Sequence, residues 1–237
     1  MRNEGEGDRA SGVKGLVFDL DGVIVDSEPL HLEAFRRALA PFGIALTDEE
    51  YYRSYVAFTD RDAFRRALGD RPEALARGVA EKQRIFWELF RDRVRAFPDA
   101  LALLGRLPAG LPLAVATGAT ASEADHALRA LGLRQRFAAL VAAEDYRRGK
   151  PDPEPYRVAA DRLGLPPRAC LAIEDTREGI RAARAAGMVC VGVAHTHPAA
   201  ELAEADVVVT TLDELDLGAL GPRFWPEKIP SPPRGRG

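Results

Sequence analysis

Leu16-Val17-Phe18-Asp19-Leu20-Asp21-Gly22-Val23 is a short apolar run that closes on two carboxylates and a glycine. At an extended strand end, Asp19 and Asp21 stand two residues apart and project to the same side. One carboxylate can then attack while the other handles a proton, and both can lie near a divalent cation. An apolar strand ending in carboxylates and a glycine turn is where an open α/β sheet places a reaction centre.

Working outward, further short apolar runs occupy residues 113–116, 139–143, 170–173, 189–193 and 207–209. They are too short for ordinary helices and continuously apolar, as strands covered on both faces should be. Between them, residues 122–131, 154–163 and 177–186 carry apolar side chains at three and four spacing, followed by Gly132, Gly164 and Gly187 as helix stops. The alternation predicts an α/β fold with a doubly wound parallel sheet. Residues from about 29 to 97 break it, being helical in pattern throughout (31–39, 48–55, 62–68, 74–90) with no strand-like run. An insert of that size cannot be a regular crossover. The expected organisation is a core of residues 13–28 plus 97–220 and an inserted α-helical domain at 29–96, with Pro29 and Pro98 marking hinges. Residues 1–12 and the proline-rich stretch 221–237 read as flexible tails.

Of the 237 residues, 33 are basic and 36 acidic, for a net charge of −3, so there is no basic field for nucleic acid. No run reaches membrane-spanning length and no leader-like segment opens the sequence, so a soluble, cytoplasmic protein is expected, a monomer by default. Cys170 and Cys190 lie inside apolar runs and read as buried free thiols. Lysines are scarce beside arginines, occurring only at positions 14, 82, 150 and 228.

Four strand ends carry chemistry: Asp19 and Asp21; Thr117-Gly118; Gly149-Lys150-Pro151; and Glu174-Asp175-Thr176. A parallel sheet delivers all four to its C-terminal edge. The residue types suit phosphoryl transfer from a monoester, where a carboxylate nucleophile meeting an anionic phosphate needs a cation and a fixed positive side chain. Oxygen-only ligands suit magnesium.

These segments, with Gly179-Ile180 and the stretch up to Gly187-Met188, resemble the four motifs of the haloacid dehalogenase superfamily, in order across about residues 13–215. Asp26-Ser27-Glu28-Pro29-Leu30-His31 further resembles the subfamily with a helical cap after the first motif, which holds β-phosphoglucomutases, sugar phosphatases and phosphoglycolate phosphatases. The resemblance implies an HAD-like Rossmannoid core and a magnesium-dependent phosphatase acting on a small phosphorylated metabolite. It implies that Asp19 attacks phosphorus to give an aspartyl phosphate, and that Asp21 protonates the leaving oxygen and then activates water. Thr117 and the Gly118 amide would hold phosphoryl oxygens, and Lys150 would neutralise charge. Magnesium would be held by Asp19, the Asp21 carbonyl and Asp175, with Glu174 a ligand directly or through water.

Competing readings stand beside several of these roles. Thr117 at a strand end can simply cap the next helix, and Glu174 can orient its neighbours rather than ligate. His31 matches a histidine near the active site of the resembled enzymes, or is a helix-surface residue. Arg61 can face substrate or solvent. His126, His195 and His197 read as structural or exposed, and Phe86, Trp87 and Phe90 as core. Asp21 argues against a dehalogenase, which lacks the second carboxylate. Val56, Ala57 and Asp60 disturb the mutase cap-loop pattern, leaving the β-phosphoglucomutase-like phosphotransferase as the alternative to a phosphatase. A non-catalytic binding protein on the same fold would not need intact Asp19, Asp21, Lys150 and Asp175.

Overall fold

The computed structural model describes residues 12–55 and 60–215. Val56, Ala57 and the stretch 221–237, all named above, lie outside them, as does the N-terminal stretch except Gly12, which is buried rather than part of a loose tail. The described residues fall into two compact units, 12–25 with 96–215, and 26–55 with 60–95.

The first unit is built on a six-stranded parallel sheet. Its strands are β1 (Gly15–Phe18), β2 (Leu113–Ala116), β3 (Ala139–Val141), β4 (Cys170–Glu174), β5 (Val189–Val193) and β6 (Val207–Val209), in the order β3-β2-β1-β4-β5-β6. The strand order turns back between β1 and β4, the place where an open sheet leaves a crevice at its strand ends. Leu16, Val17 and Phe18 are fully buried, which is why β1 shows no polar alternation. On one face Val17, Ala114, Ala116 and Ala172 pack with Tyr156, Ala159, Ile180 and Ala183. Those partners come from α7 (Glu154–Leu163) and α8 (Arg177–Ala186). Each of these helices ends on a left-handed glycine, Gly164 at φ 68° and Gly187 at φ 93°, a conformation that costs other residues a Cβ clash.

Two differences from the sequence reading have local causes. Residues 142–143 are not strand: the Asp145 carboxylate accepts from the Ala142 amide at 2.9 Å, and the chain turns into a 3-10 segment at Ala143–Asp145. Pro98 opens a helix, α5 (Pro98–Arg106), that the sequence reading did not expect; a proline costs nothing there because its missing N–H would be unpaired anyway. Both cysteines are buried and free.

The second unit contains α1 (Glu28–Leu39), α2 (Asp48–Ser54), α3 (Asp60–Leu68) and α4 (Pro72–Arg93). Helix α4 packs against α1 and α3. Phe35 and Phe64 stack at 5.3 Å, and Gly78 on α4 gives Phe64 its room, since a Cβ there would lie 2.6 Å from the ring. Phe90 is core as expected, whereas Phe86 and Trp87 are half-buried. No helix among the described residues is long and apolar enough to cross a membrane.

Candidate active site

Asp19 follows the last residue of β1, and its amide donates to the Ile173 carbonyl of β4 at 3.0 Å. That bond sets Asp19 level with Glu174, the last residue of β4, and with Asp175 just beyond it. Ligand atoms of these three buried carboxylates lie within 4.8 Å of one another. Lys150 Nζ donates to Asp19 Oδ1 at 2.9 Å and to Glu174 Oε1 at 2.6 Å. One ammonium thus bonds two of the three clustered carboxyl groups.

That imbalance sets the protonation. Burial pushes the Asp19 carboxyl up from 3.8 to about 7; Lys150 pulls it down, while Glu174 and Asp21 add to the rise. Burial raises Asp175 well above the carboxylate range too, with Asp19 and Glu174 adding to it. Burial disfavours charge on Lys150, but Asp19 and Glu174 outweigh it and hold the ammonium above its usual value.

Glu174 is fully buried and well supplied with donors. The Tyr156 hydroxyl bonds Oε1, while Oε2 accepts the Thr176 hydroxyl at 3.0 Å and the Asp175 amide at 3.2 Å. A Cβ on Gly179 would lie 1.9 Å from this carboxylate, so the first turn of α8 needs a glycine there. Asp175 differs. Its Oδ2 accepts from the Thr196 hydroxyl, but Oδ1 is buried with no partner among the described residues. Leaving a buried carboxylate oxygen unpaired is costly. An orphaned oxygen in a cluster short of positive charge is what a hard cation with oxygen ligands would satisfy. The donor set therefore fits a metal ion, with Asp19, Asp175 and Glu174 as the side chains available.

The turn after β1 closes through the Gly22 amide on the Val25 carbonyl at 2.9 Å and the Val25 amide on the Leu20 carbonyl at 2.8 Å. Gly22 sits at φ 75°, and a Cβ there would lie 1.9 Å from Asp175 Oδ2. Backbone conformation and close approach both demand glycine. Asp21 is half-buried on this turn.

Thr117 ends β2. It is buried, its hydroxyl accepts from the Ala119 amide at 3.0 Å, and its carbonyl accepts from the Tyr146 hydroxyl at 3.0 Å. It does not cap the following helix. That falls to Thr120, in a reciprocal box with Glu123 that starts α6 (Ala121–Ala130) one residue before the expected position. Gly118 is exposed at the same strand end.

His31 and Arg61 belong to the helical unit. His31 is half-buried, stacked on Phe86 at 4.0 Å, with Nδ1 2.9 Å from Lys82 Nζ. Lys82 is itself buried and donates to Asp60 Oδ1 at 2.8 Å. Burial and the Lys82 ammonium push His31 down to about 3, so its ring is neutral at ordinary pH. Arg61, in the first turn of α3, is exposed and lines a cavity of about 480 Å³ with Arg65, Leu75 and Val79.

Sequence reasoning missed Tyr156 and Thr196. Tyr156 sits at an apolar-periodic helical position, which gives no hint that its hydroxyl reaches Glu174. Thr196 had a usable signal: it follows β5, whose end lies on the same sheet edge as the other four segments.

Residues 13–187 match the family model for haloacid dehalogenase-like hydrolases. The chain belongs to that family. Over 221 residues it is 36% identical to validoxylamine A 7′-phosphate phosphatase of Streptomyces hygroscopicus subsp. limoneus, covering 88% of this chain and 99% of that protein. It is 37% identical over 187 residues to a fructose-1-phosphate phosphatase of Escherichia coli K12, covering 76% and 95%. Among solved structures, β-phosphoglucomutase of Clostridium difficile superposes with a TM-score of 0.69 at 25% identity, covering 88% and 95%. This haloacid dehalogenase-like hydrolase thus has both phosphatases and a mutase among its relatives.

Proposed function

We propose that this hydrolase is a magnesium-dependent phosphatase of a small phosphorylated metabolite, of the sugar-phosphate kind, working in the cytoplasm as a monomer. The observation that carries the reading is the cluster in which Lys150 bonds both Asp19 and Glu174 beside the orphaned Asp175 oxygen. It supports a site that must gather a dianionic phosphate and lacks one cation to do so. The named phosphatase relatives support the same reading.

Asp19 attacks phosphorus through a carboxylate oxygen, and the bond from phosphorus to the ester oxygen breaks. Asp21 gives its proton to the departing alkoxide. In the second half Asp21 takes a proton from water, the hydroxide adds to phosphorus, and the Asp19–phosphorus bond breaks, returning the carboxylate and inorganic phosphate. Lys150 favours the ionised form of Asp19 and offsets charge on the phosphoryl oxygens; Thr117 and the Gly118 amide hold those oxygens. Asp19, the Asp21 carbonyl, Asp175 and Glu174, the last directly or through water, would hold magnesium, which supplies charge neutralisation at the reacting phosphate. The helical unit, residues 26–95, is assigned the role of a cap that selects substrate, with His31 and Arg61 as its contributions.

The mutase reading needs a basic cap loop. At the corresponding positions Asp60 is committed to Lys82, which leaves water the favoured acceptor. The test is phosphate release from a panel of sugar phosphates and small phosphomonoesters, with magnesium, with chelator, and with Asp19→Asn. Release that needs both metal and Asp19 supports the phosphatase. Interconversion of hexose phosphates without release would replace it with the mutase.

A further inference from the structure

We infer that His195, held by Asp99, is a positioning residue that braces the turn carrying Asp19 and Asp21 through the Gly22 carbonyl. The importance of that turn rests on the proposed function; the brace itself does not. None of the four motif segments includes either residue.

The segment after β5 sends two consecutive side chains to the sheet edge. The Thr196 hydroxyl bonds Asp175 Oδ2, and His195 Nδ1 lies 2.9 Å from the Gly22 carbonyl oxygen. Gly22 in turn presses its Cα side against Asp175 Oδ2. The contacts close a ring from the β1 turn to Asp175, Thr196, His195 and back to the turn. A shift at any member must therefore move the others. His195 is not a surface residue: its side chain is 8% exposed, and its ring stacks on Phe97 at 4.0 Å and 20°.

The far side of the ring is anchored as firmly. Nε2 lies 2.8 Å from Asp99 Oδ2, in the first turn of α5. Asp99 also accepts from the Leu212 amide at 2.7 Å and the Ala100 amide at 3.0 Å. Burial disfavours its charge, but those amides and His195 hold its carboxyl below the usual range. Each ring nitrogen therefore lies against an acceptor, Nδ1 against the Gly22 carbonyl and Nε2 against the Asp99 carboxylate, so the ring bridges the turn to α5.

The pair of amide side chains closest in shape to histidine separates the two bonds. His195→Asn keeps a donor near the Nδ1 position, toward Gly22; His195→Gln keeps one near Nε2, toward Asp99; His195→Leu keeps neither. We would measure backbone amide exchange at Gly22 and Val25, and kcat and KM for phosphate release. His195→Leu and His195→Gln should exchange about tenfold faster in the turn and lose at least about tenfold in kcat with KM little changed. His195→Asn should keep both turn protection and kcat. Unchanged exchange in His195→Leu, or protection retained by Gln and lost by Asn, would overturn the brace. Turn exchange behaving as expected in a protein that releases no phosphate from any ester would keep the brace and remove the phosphatase.

Discussion

Lys82 lies in the helical unit and Lys150 in the sheet unit, the first buried and the second half-buried, and their surroundings differ in charge balance. Lys82 donates to Asp60 and meets the neutral ring of His31, so one positive charge answers one negative charge. Lys150 donates to Asp19 and Glu174 with Asp175 beside them, so one ammonium faces three carboxyl groups, two of which burial pushes toward the protonated form. The first cluster is balanced and closed. The second is short of positive charge and holds an unpartnered oxygen. A balanced buried pair ties helices together; an unbalanced one is a receptor for a cation and for chemistry.

The largest expected effect falls on the unbalanced side. Asp19→Asn removes the proposed nucleophile and should reduce turnover on the order of 10⁴-fold or more while the fold stands, read by phosphate release and circular dichroism. Full activity in that variant would dissolve the distinction between the clusters. Next, Lys150→Met should reduce kcat about 10²–10³-fold. Lys82→Met should show itself in urea denaturation instead, losing about 1–3 kcal/mol because it leaves the half-buried Asp60 carboxylate without its partner. If Asp60→Asn restores none of that loss in the double variant, the pair is not coupled as described.

The pH response sharpens the contrast, because the signs are opposite. Asp19 is raised from 3.8 to about 7, so between those values the folded state holds a proton that the unfolded state has released. Its contribution to stability is therefore largest at low pH and is lost as pH rises through about 7. His31 is lowered from 6.5 to about 3, so in that window the unfolded state binds the proton instead. Its contribution is present above 6.5 and is lost as pH falls toward 3. His31→Gln should flatten the acid limb of stability against pH, and Asp19→Asn the limb approaching neutrality. Magnesium should expel the Asp19 proton, so calorimetry near about pH 6.5 in buffers of different ionisation enthalpy should detect proton release in the wild type and less in Asp19→Asn. No proton release in the wild type would place the cation elsewhere. The smallest effect expected is from Tyr156→Phe, which leaves Lys150, the Thr176 hydroxyl and two backbone amides to hold Glu174 and should cost about 1–2 kcal/mol, measured by thermal unfolding.

What the sequence showed and hid follows the same divide. β2, β5, β6, α7 and α8 were legible residue for residue, because a run buried on both faces and a helix ended by glycine leave plain patterns. Asp19, Lys150, Glu174 and Asp175 were legible because strand ends of a parallel sheet converge. Helix α5 was not, because Pro98 reads alike as a break and as a helix start. Nor was the Asp99–His195 brace: its partners are 96 residues apart, joined only by tertiary packing. The Lys82–Asp60–His31 cluster was hidden for the same reason, since a charged residue on an amphipathic helix is ordinarily solvated.

The central claim, that Asp19 is the residue phosphorylated in a cation-completed site, has a direct measurement. Wild-type protein is acid-quenched during turnover of a sugar phosphate it hydrolyses, digested, and its peptides analysed by mass spectrometry. The account predicts a phosphoryl group on the peptide holding Asp19 when magnesium is present, and none with chelator or in Asp19→Asn. Turnover at an undiminished rate in Asp19→Asn, or a phosphoryl group on another residue, would contradict it.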